Sequence, residues 1–557
     1  MVSEGAQLSR GSAFPRETNA RAVLWGSLVL GVLLKARIVF SDDGINWPDE
    51  IYQSFEPAHR LVFGHGLVAW EFIEGARTWA VPGFVAIWLF ICKLFGAGPS
   101  TYIPVVKLAF VALSAGASLG VYRLARGFGG RELESAVASA LWSLCALSLY
   151  FSARAMSENL AAPLVVWGLA LIFEEGSQKR TRIVGAALLG AATIVRLQCA
   201  VFCIGALVVL LAPLFMDPKL RNARFSMARR VSIAGVGAVV LISLLATRIG
   251  PEWSFRLLVL AGLAALGGIG VLVFDLMRAA PVEKREPVRE VFLTLVVAAC
   301  VLGIWDAAAW HSVPTAKVGG LFHSAVVYWR FNIVENRGAG WGTAPWTYYF
   351  QHLYLTMPGV ALVLGASLLG SARKAWPLVV SLVLFLALHF YVGHKELRFM
   401  IPVMPLVCAA FGIAVSLLPS QPARIAMVVA ALCVGVSALN HKTLTMGDVG
   451  SYPERAQSSA WDDFGPVNRL MLAASRQSDV CGLRIDAAHL AWTGGTTYLH
   501  HNAPLYMPGF PQQHGFFNYV LTRAGSGAPV IASEAGLELV RLGPTCTPDV
   551  AYAWRLP

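Results

Sequence analysis

Apolar runs of about 17 residues or more recur along the first 440 residues of this chain. Each is long enough to cross a hydrocarbon core of about 30 Å as a helix. Backbone in lipid must satisfy its own hydrogen bonds, so the choice lies between a helical bundle and a closed barrel. A barrel would show alternating segments of about ten residues, and none is evident. Of 557 residues, 56% are hydrophobic and only 14% charged, against roughly 25% charged in soluble chains. The chain therefore reads as an all-α polytopic membrane protein.

The runs place about thirteen transmembrane helices, at 22–40, 103–122, 133–151, 158–174, 183–196, 198–215, 231–248, 255–277, 290–310, 354–371, 376–393, 399–417 and 425–440. An odd count puts the N-terminus inside and the tail outside. Lys and Arg agree, being roughly threefold denser in the inner loops (123–131, 174–182, 216–230, 278–289) than in the outer ones. That distribution accounts for the net charge of +12 and leaves no basic domain for nucleic acid. The first span follows Arg10, Arg16 and Arg21 and is succeeded by no clean cleavage site, the pattern of an uncleaved signal anchor. Residues 80–97 are apolar enough to span, but a span there would turn the basic 123–131 loop outward. They are expected to lie in the interface or dip into the membrane.

Residues 1–440 thus form a transmembrane domain whose outer loops 41–79, 311–353 and 394–398 share one face. Residues 441–557 are turn-rich and read as a small extracytoplasmic α/β domain. Seven of the nine cysteines lie in or beside apolar runs, where packing explains them. Cys481 and Cys546 in the tail would pair in an oxidising compartment and stay thiols in a reducing one.

Within the first outer loop, Pro48 can open a helix, which puts Asp49, Tyr52, Gln53 and Glu56 on one face. A carboxylate held there at the water–lipid boundary can act as a general base on a hydroxyl. Asp49 and Glu50 would equally serve as the acidic first turn of a helix. In Gly393-His394-Lys395-Glu396-Leu397-Arg398-Phe399, three cationic or protonatable groups stand at the outer end of a span. A bound phosphate would justify them, with Glu396 tying one down; a salt-bridged loop is the plainer alternative. In the third loop, Tyr328, Trp329, Asn336, Arg337 and Trp346 mix aromatics with polar groups, as sugar-stacking surfaces do, and as interfacial aromatic belts do. Arg154, Glu158 and Arg196 lie near span ends, where charge is either functional or a hairpin tip reaching water. The chain contains no Walker loop and no His-Glu-x-x-His.

Taken together these residues resemble glycosyltransferase family 22, the polyprenyl-phosphate-mannose-dependent α-mannosyltransferases of N-glycan and GPI-anchor assembly. Trp47-Pro48-Asp49-Glu50-Ile51-Tyr52-Gln53, followed by Glu56, Ala58 and His59, is similar to the family's His-Pro-Asp-Glu element, with Trp47 in place of the His. His394 to Phe399 matches its His-Lys-Glu-x-Arg-Phe in full. Arg77-Thr78-Trp79 is similar to its Arg-Ser-aromatic element. The stretch from Tyr328 to Tyr349 is similar to its Tyr-Gly…Pro-Trp region, with Gly340-Trp341-Gly342 replacing Tyr-Gly. The resemblance covers about residues 22–420.

The resemblance implies a GT-C fold and an inverting single displacement on the extracytoplasmic face, from a polyprenyl-phosphate sugar donor to a glycan or glycolipid acceptor. Asp49 would take the acceptor proton. His394, Lys395 and Arg398 would hold the phosphate. Glu50 and Arg77 would orient Asp49 or the acceptor, with Gln53, Glu56, Tyr328, Trp329, Asn336, Arg337, Trp346 and Glu396 lining the substrate. The scheme needs neither metal nor cofactor. Two other readings stand beside it: a transferase using another polyprenyl-linked sugar, and a glycolipid transporter or flippase, although the repeated halves of a transporter are not evident. The absence of Asn-x-Ser/Thr and the Ala-, Val- and Arg-rich usage favour a bacterial cytoplasmic membrane with a periplasmic site over an ER membrane with a luminal one.

Overall fold

The computed structural model describes residues 13–45, 47–217, 277–310, 320–439, 464–507 and 515–547. The expected spans at 231–248 and 255–277 lie outside the described residues, apart from Met277. Each of the other expected spans falls on helix. Two are broken. The run 133–151 divides at Cys145 into Glu132–Leu144 and Ala146–Phe151. The run 354–371 divides at Met357, which the following Pro358 drives out of the helical region. Residues 80–97 contain a single helix, Ala80–Leu94.

Among the described residues, five helices are long and apolar enough to cross a membrane and five shorter apolar ones accompany them. This is an integral membrane protein. Leu33, Val297, Leu362 and Leu432 stand exposed on the outer faces of their helices, where lipid is their natural solvent. Inside, small residues let helices close together, the packing mode expected where lipid removes the hydrophobic drive. Ser157–Phe173 and Lys179–Val195 meet so tightly that a Cβ on Gly185 would sit 2.7 Å from the Gly168 carbonyl oxygen.

One large core joins these helices to Met404–Ser416 and to Trp47. A second core has a different membership. It joins Ile45, Ile51, Tyr52 and Phe55 of the first outer loop, Val85 and Leu89 of Ala80–Leu94, Tyr102 and Phe110 of Pro99–Gly127, and Leu470, Leu483, Tyr498 and Leu521 of the tail. The tail is thus packed into the loop segment that follows the first helix rather than tethered beside it.

The tail carries a five-stranded sheet of β1 (Leu483–Ile485), β2 (Leu505–Tyr506), β3 (Tyr519–Arg523), β4 (Val530–Glu534) and β5 (Leu537–Arg541), in the order β2-β1-β3-β5-β4. β1 runs parallel to β2 and β3, with Leu483 opposite Leu505 and Tyr519; β5 runs antiparallel to β3 and β4. The helix Gly465–Ala474 packs on the sheet. The result is the small α/β unit that the tail's mixed short apolar runs predict. Cys481, just before β1, is disulfide-bonded to Cys546, after β5.

Candidate active site

Trp47 is extended and Pro48 opens a helical turn, so Asp49 and Glu50 occupy the first turn as the sequence predicts. Beyond them the chain does not continue as a plain α-helix. Residues Ile51–Phe55 form a π turn before the α-helix Glu56–Phe63 resumes. A π turn inserts an extra residue and changes the angular register. Asp49, Tyr52 and Gln53 keep the expected common face and line a cavity of roughly 500 Å³, while Glu56 is carried off it.

Glu56 is fully buried beneath the tail instead. Its carboxylate accepts from the Leu67 and Thr497 backbone N–H groups (2.6 and 2.7 Å) and from Thr497 Oγ1 (3.0 Å). Glu50 points away from the cavity and is ion-paired at 3.0 Å with Arg154, whose guanidinium also holds Asp42 at 3.4 Å. It braces the turn that presents Asp49.

Asp49 meets the second motif directly. Arg398, in the 3-10 turn Leu397–Met400, donates from Nη2 to Asp49 Oδ2 at 2.5 Å. The same guanidinium forks onto Glu396, at 2.6 and 2.9 Å, a bidentate geometry that fixes its plane. It also lies 3.4 Å from Glu158, which in turn pairs with Arg196 at 3.0 Å. Three carboxylates therefore hold Arg398.

His394 donates from Nδ1 to the Gly342 carbonyl (3.0 Å) and from Nε2 to Glu396 (2.9 Å). Two acceptors on the two ring nitrogens call for the imidazolium. Burial lowers the His394 pKa, but the Glu396 hydrogen bond and charge and the Gly342 carbonyl outweigh it, and the balance is upward. Glu396 shifts the other way: burial raises its pKa, and Arg398 and His394 hold it well below the usual carboxylate range. Lys395 does not reach the cavity. Its ammonium turns back onto the Val392 carbonyl.

Arg77 lines the cavity with its guanidinium 5.2 Å from the Tyr328 ring. It makes no ion pair among the described residues, and its Nε lacks a hydrogen-bond partner. Tyr328 and Trp329, on His323–Trp329, line the same space, with Gln198 donating to the Tyr328 hydroxyl. The other expected members of that loop do not. Asn336 occupies a left-handed turn (φ 48°). Arg337 lies off the cavity, 3.7 Å from Glu74 and 3.8 Å from Glu335. Trp346 is exposed at 64%. Gly338 and Trp341 reach the cavity in their place. Residues 311–319 of the expected outer loop lie outside the described residues.

Sequence reasoning missed Glu71. It is buried on the cavity wall, where Gln53 Nε2 donates to it at 2.7 Å. Burial, then the neighbouring charge of Asp49, push its pKa up to about 7. The signal was present as an acidic residue inside the aromatic run Ala69-Trp70-Glu71-Phe72. Also missed were His489, Ala491 and Trp492, which bring the tail to the cavity wall; no local pattern marks them.

The site combines a carboxylate with one oxygen engaged, two further cations and an aromatic wall. Among the described residues no hydrogen bond engages Asp49 Oδ1. Such a set can remove a proton and stabilise a departing anion.

The sequence profile of the Alg9-like mannosyltransferase family matches residues 28–249 and 256–449. The chain is similar to the mouse (Mus musculus) GPI alpha-1,2-mannosyltransferase 3, at 22% identity over 65% of this chain and 54% of that protein. It is similar to GPI mannosyltransferase 3 of Schizosaccharomyces pombe, at 23% over 66% and 63%. The chain spans about half the length of the curated mammalian relatives it matches. Among solved structures, ArnT from Cupriavidus metallidurans in the apo state aligns with a TM-score of 0.48 and 12% identity, over 94% of this chain and 99% of that one.

Proposed function

The chain belongs to the Alg9-like mannosyltransferase family, and from that premise we propose that it transfers mannose from a polyprenyl-phosphate donor to a hydroxyl of a glycan or glycolipid, with inversion at the sugar C1. The acceptor oxygen attacks C1 on the face opposite the phosphate. The bond from C1 to the phosphate oxygen breaks, its electron pair leaves with the phosphate, and the acceptor proton passes to Asp49. The contact that carries this reading is the one between Asp49 and Arg398, which joins a base to a cation in one cavity.

Arg398 fixes Asp49 through Oδ2 and leaves Oδ1 for the proton. Arg77, His394 and Arg398 form the phosphate site in this reading, the cations offsetting charge that develops on the leaving group. Lys395 is left out because its ammonium is directed elsewhere. Glu396 and Glu158 position Arg398, and Glu50 positions the Asp49 turn. Tyr328, Trp329 and Trp341 offer aromatic faces to the sugar.

We place the site on the extracytoplasmic face, periplasmic in a bacterial cytoplasmic membrane. The density of Lys and Arg on the opposite loops supports this. So does the Cys481–Cys546 disulfide, because such bonds persist in oxidising compartments, and the tail that carries it helps wall the cavity.

The test is sugar transfer by the purified full chain in detergent, from polyprenyl-phosphate mannose to an oligomannose acceptor. Asp49→Asn is expected to lose about 10²–10⁴-fold in kcat while still binding polyprenyl phosphate. Near-normal turnover by Asp49→Asn would remove it as the base. Failure of the wild type with mannose but success with another polyprenyl-linked sugar would keep the mechanism and change the donor.

A further inference from the structure

The family match ends at residue 449, yet His489, Ala491 and Trp492 form part of the cavity that holds Asp49. This segment is anchored on all sides. The Tyr52 hydroxyl, from the same helical stretch as Asp49, donates to the Leu490 carbonyl. Thr493 Oγ1 donates to that carbonyl as well, at 2.8 Å. The Gly494 N–H donates to Asn468 Oδ1 (2.8 Å), and Asn468 Nδ2 donates to the Asp43 carbonyl (2.7 Å). Beneath it, Gly495 has φ +57°, and an added Cβ there would lie 2.5 Å from Glu56 Oε1, so the tail seats directly on the loop that carries the base.

The chemistry of this wall differs from that of the rest of the cavity. The cations Arg77, His394 and Arg398 all come from other segments, and Leu388 and Val392 come from the end of the apolar helix Trp376–Tyr391. The tail supplies no fixed charge. The Ala491 N–H donates to His489 Nδ1 (3.2 Å), which leaves the ring proton on Nε2 as a donor. Trp492 runs parallel to Phe464, 6.4 Å between centroids and 8° between planes. A wall with one indole and one neutral donor brings no cation to a phosphate. It suits the apolar face and the hydroxyls of a pyranose.

Resting on the transferase reading above, we propose that residues 489–492 are the acceptor-saccharide subsite, and that a tail outside the family match selects the sugar that receives transfer. The donor's phosphate then lies against the cationic wall, with Asp49 between the two.

The experiment reads saccharide contact without requiring turnover. Purified full-length protein is mixed with an α-linked mannose disaccharide and followed by saturation-transfer NMR, with undecaprenyl phosphate binding measured in parallel. The wild type is expected to contact the disaccharide. Trp492→Ala is expected to weaken that contact by about tenfold, the scale of one aromatic–sugar stack, and exposed His489→Ala by a few-fold. Both variants should keep lipid-phosphate binding within about twofold of wild type, which also shows them folded. Saccharide contact unchanged in both variants, or no contact in the wild type, would overturn the proposal, as would loss of lipid-phosphate binding in His489→Ala. Disaccharide contact that behaves as expected in a protein that transfers no polyprenyl-linked sugar would instead overturn the transferase reading and leave the subsite standing.

Discussion

Neighbouring residues in the two motifs have separate fates. Asp49 lines the cavity and Glu50 is buried on Arg154; Arg398 meets Asp49 and Lys395 faces a backbone carbonyl. Adjacent helical residues point about 100° apart, which separates Asp49 from Glu50, and Lys395 precedes the 3-10 turn that presents Arg398, so a run of charges marks a region without saying which members face the cavity. Asp49, Arg77, His394 and Arg398 were legible because each is charged where the surroundings are oily. Glu71 carries the sharper prediction. With a pKa of about 7, above the roughly 4.3 of a free glutamate, it is protonated below neutrality and ionised above it. Ionisation adds a negative charge near Asp49, opposite Gln53 and Arg77, in a cavity proposed to receive a phosphate. The donor KM of the wild type is therefore expected to rise as pH passes 7, and Glu71→Gln to show a smaller rise over pH 6–8.5, the remainder belonging to His394, with activity retained at pH 6. A rise of equal size in the variant would assign the titration to another group.

Among elements, the outer helical stretch and the tail are the informative pair. Helix positions were legible from apolar periodicity, whereas the π turn at Ile51–Phe55 was not, and it alone moves Glu56 from the cavity to the seam with the tail. The seam also holds His59, whose Nε2 lies 3.0 Å from His500 Nδ1, with His65 and Tyr102 beside them. Burial pushes His59 down to about 3 and His500 down to about 4, against about 6.5 in an unfolded chain. As pH falls the unfolded chain takes up protons first. The stability the pair contributes is then present above pH 6.5 and lost toward pH 4. Glu56, at about 7, titrates in the opposite sense and is common to wild type and variant. His500→Asn keeps a side chain that tolerates the left-handed backbone at this position (φ 59°). Its melting temperature is expected to fall less steeply than that of the wild type between pH 6.5 and 4.5. Parallel slopes would exclude the histidine pair as the acid-sensitive contact.

For the whole molecule, the bundle and its small α/β appendage could be read from hydropathy and turn content, because lipid imposes a strong compositional rule. The second core was not legible. It depends on contacts such as Tyr52 to Leu490, more than 400 residues apart, and no local pattern encodes a pairing at that distance. Orientation is testable at this scale. After mild reduction, a membrane-impermeant thiol reagent applied to intact spheroplasts is expected to label Cys481 and Cys546 and to leave the buried Cys145, Cys199 and Cys408 unmodified. Labelling of the tail only after permeabilisation would reverse the assignment of faces.

The seam between loop and tail also sets an order of events during biosynthesis. The loop bearing Asp49 is synthesised and inserted while residues 464–547 have yet to be translated, and domains of a growing chain generally fold from the N-terminal end as units. Until the tail arrives, Glu56 has no Thr497 to hold, Tyr52 has no Leu490 carbonyl, and the cavity lacks one wall. In the proposed topology, a ribosome that stops early would leave a bundle in the membrane with its motifs present and its cavity open on one side, so that translocation of the last segment would be the step that completes the proposed site.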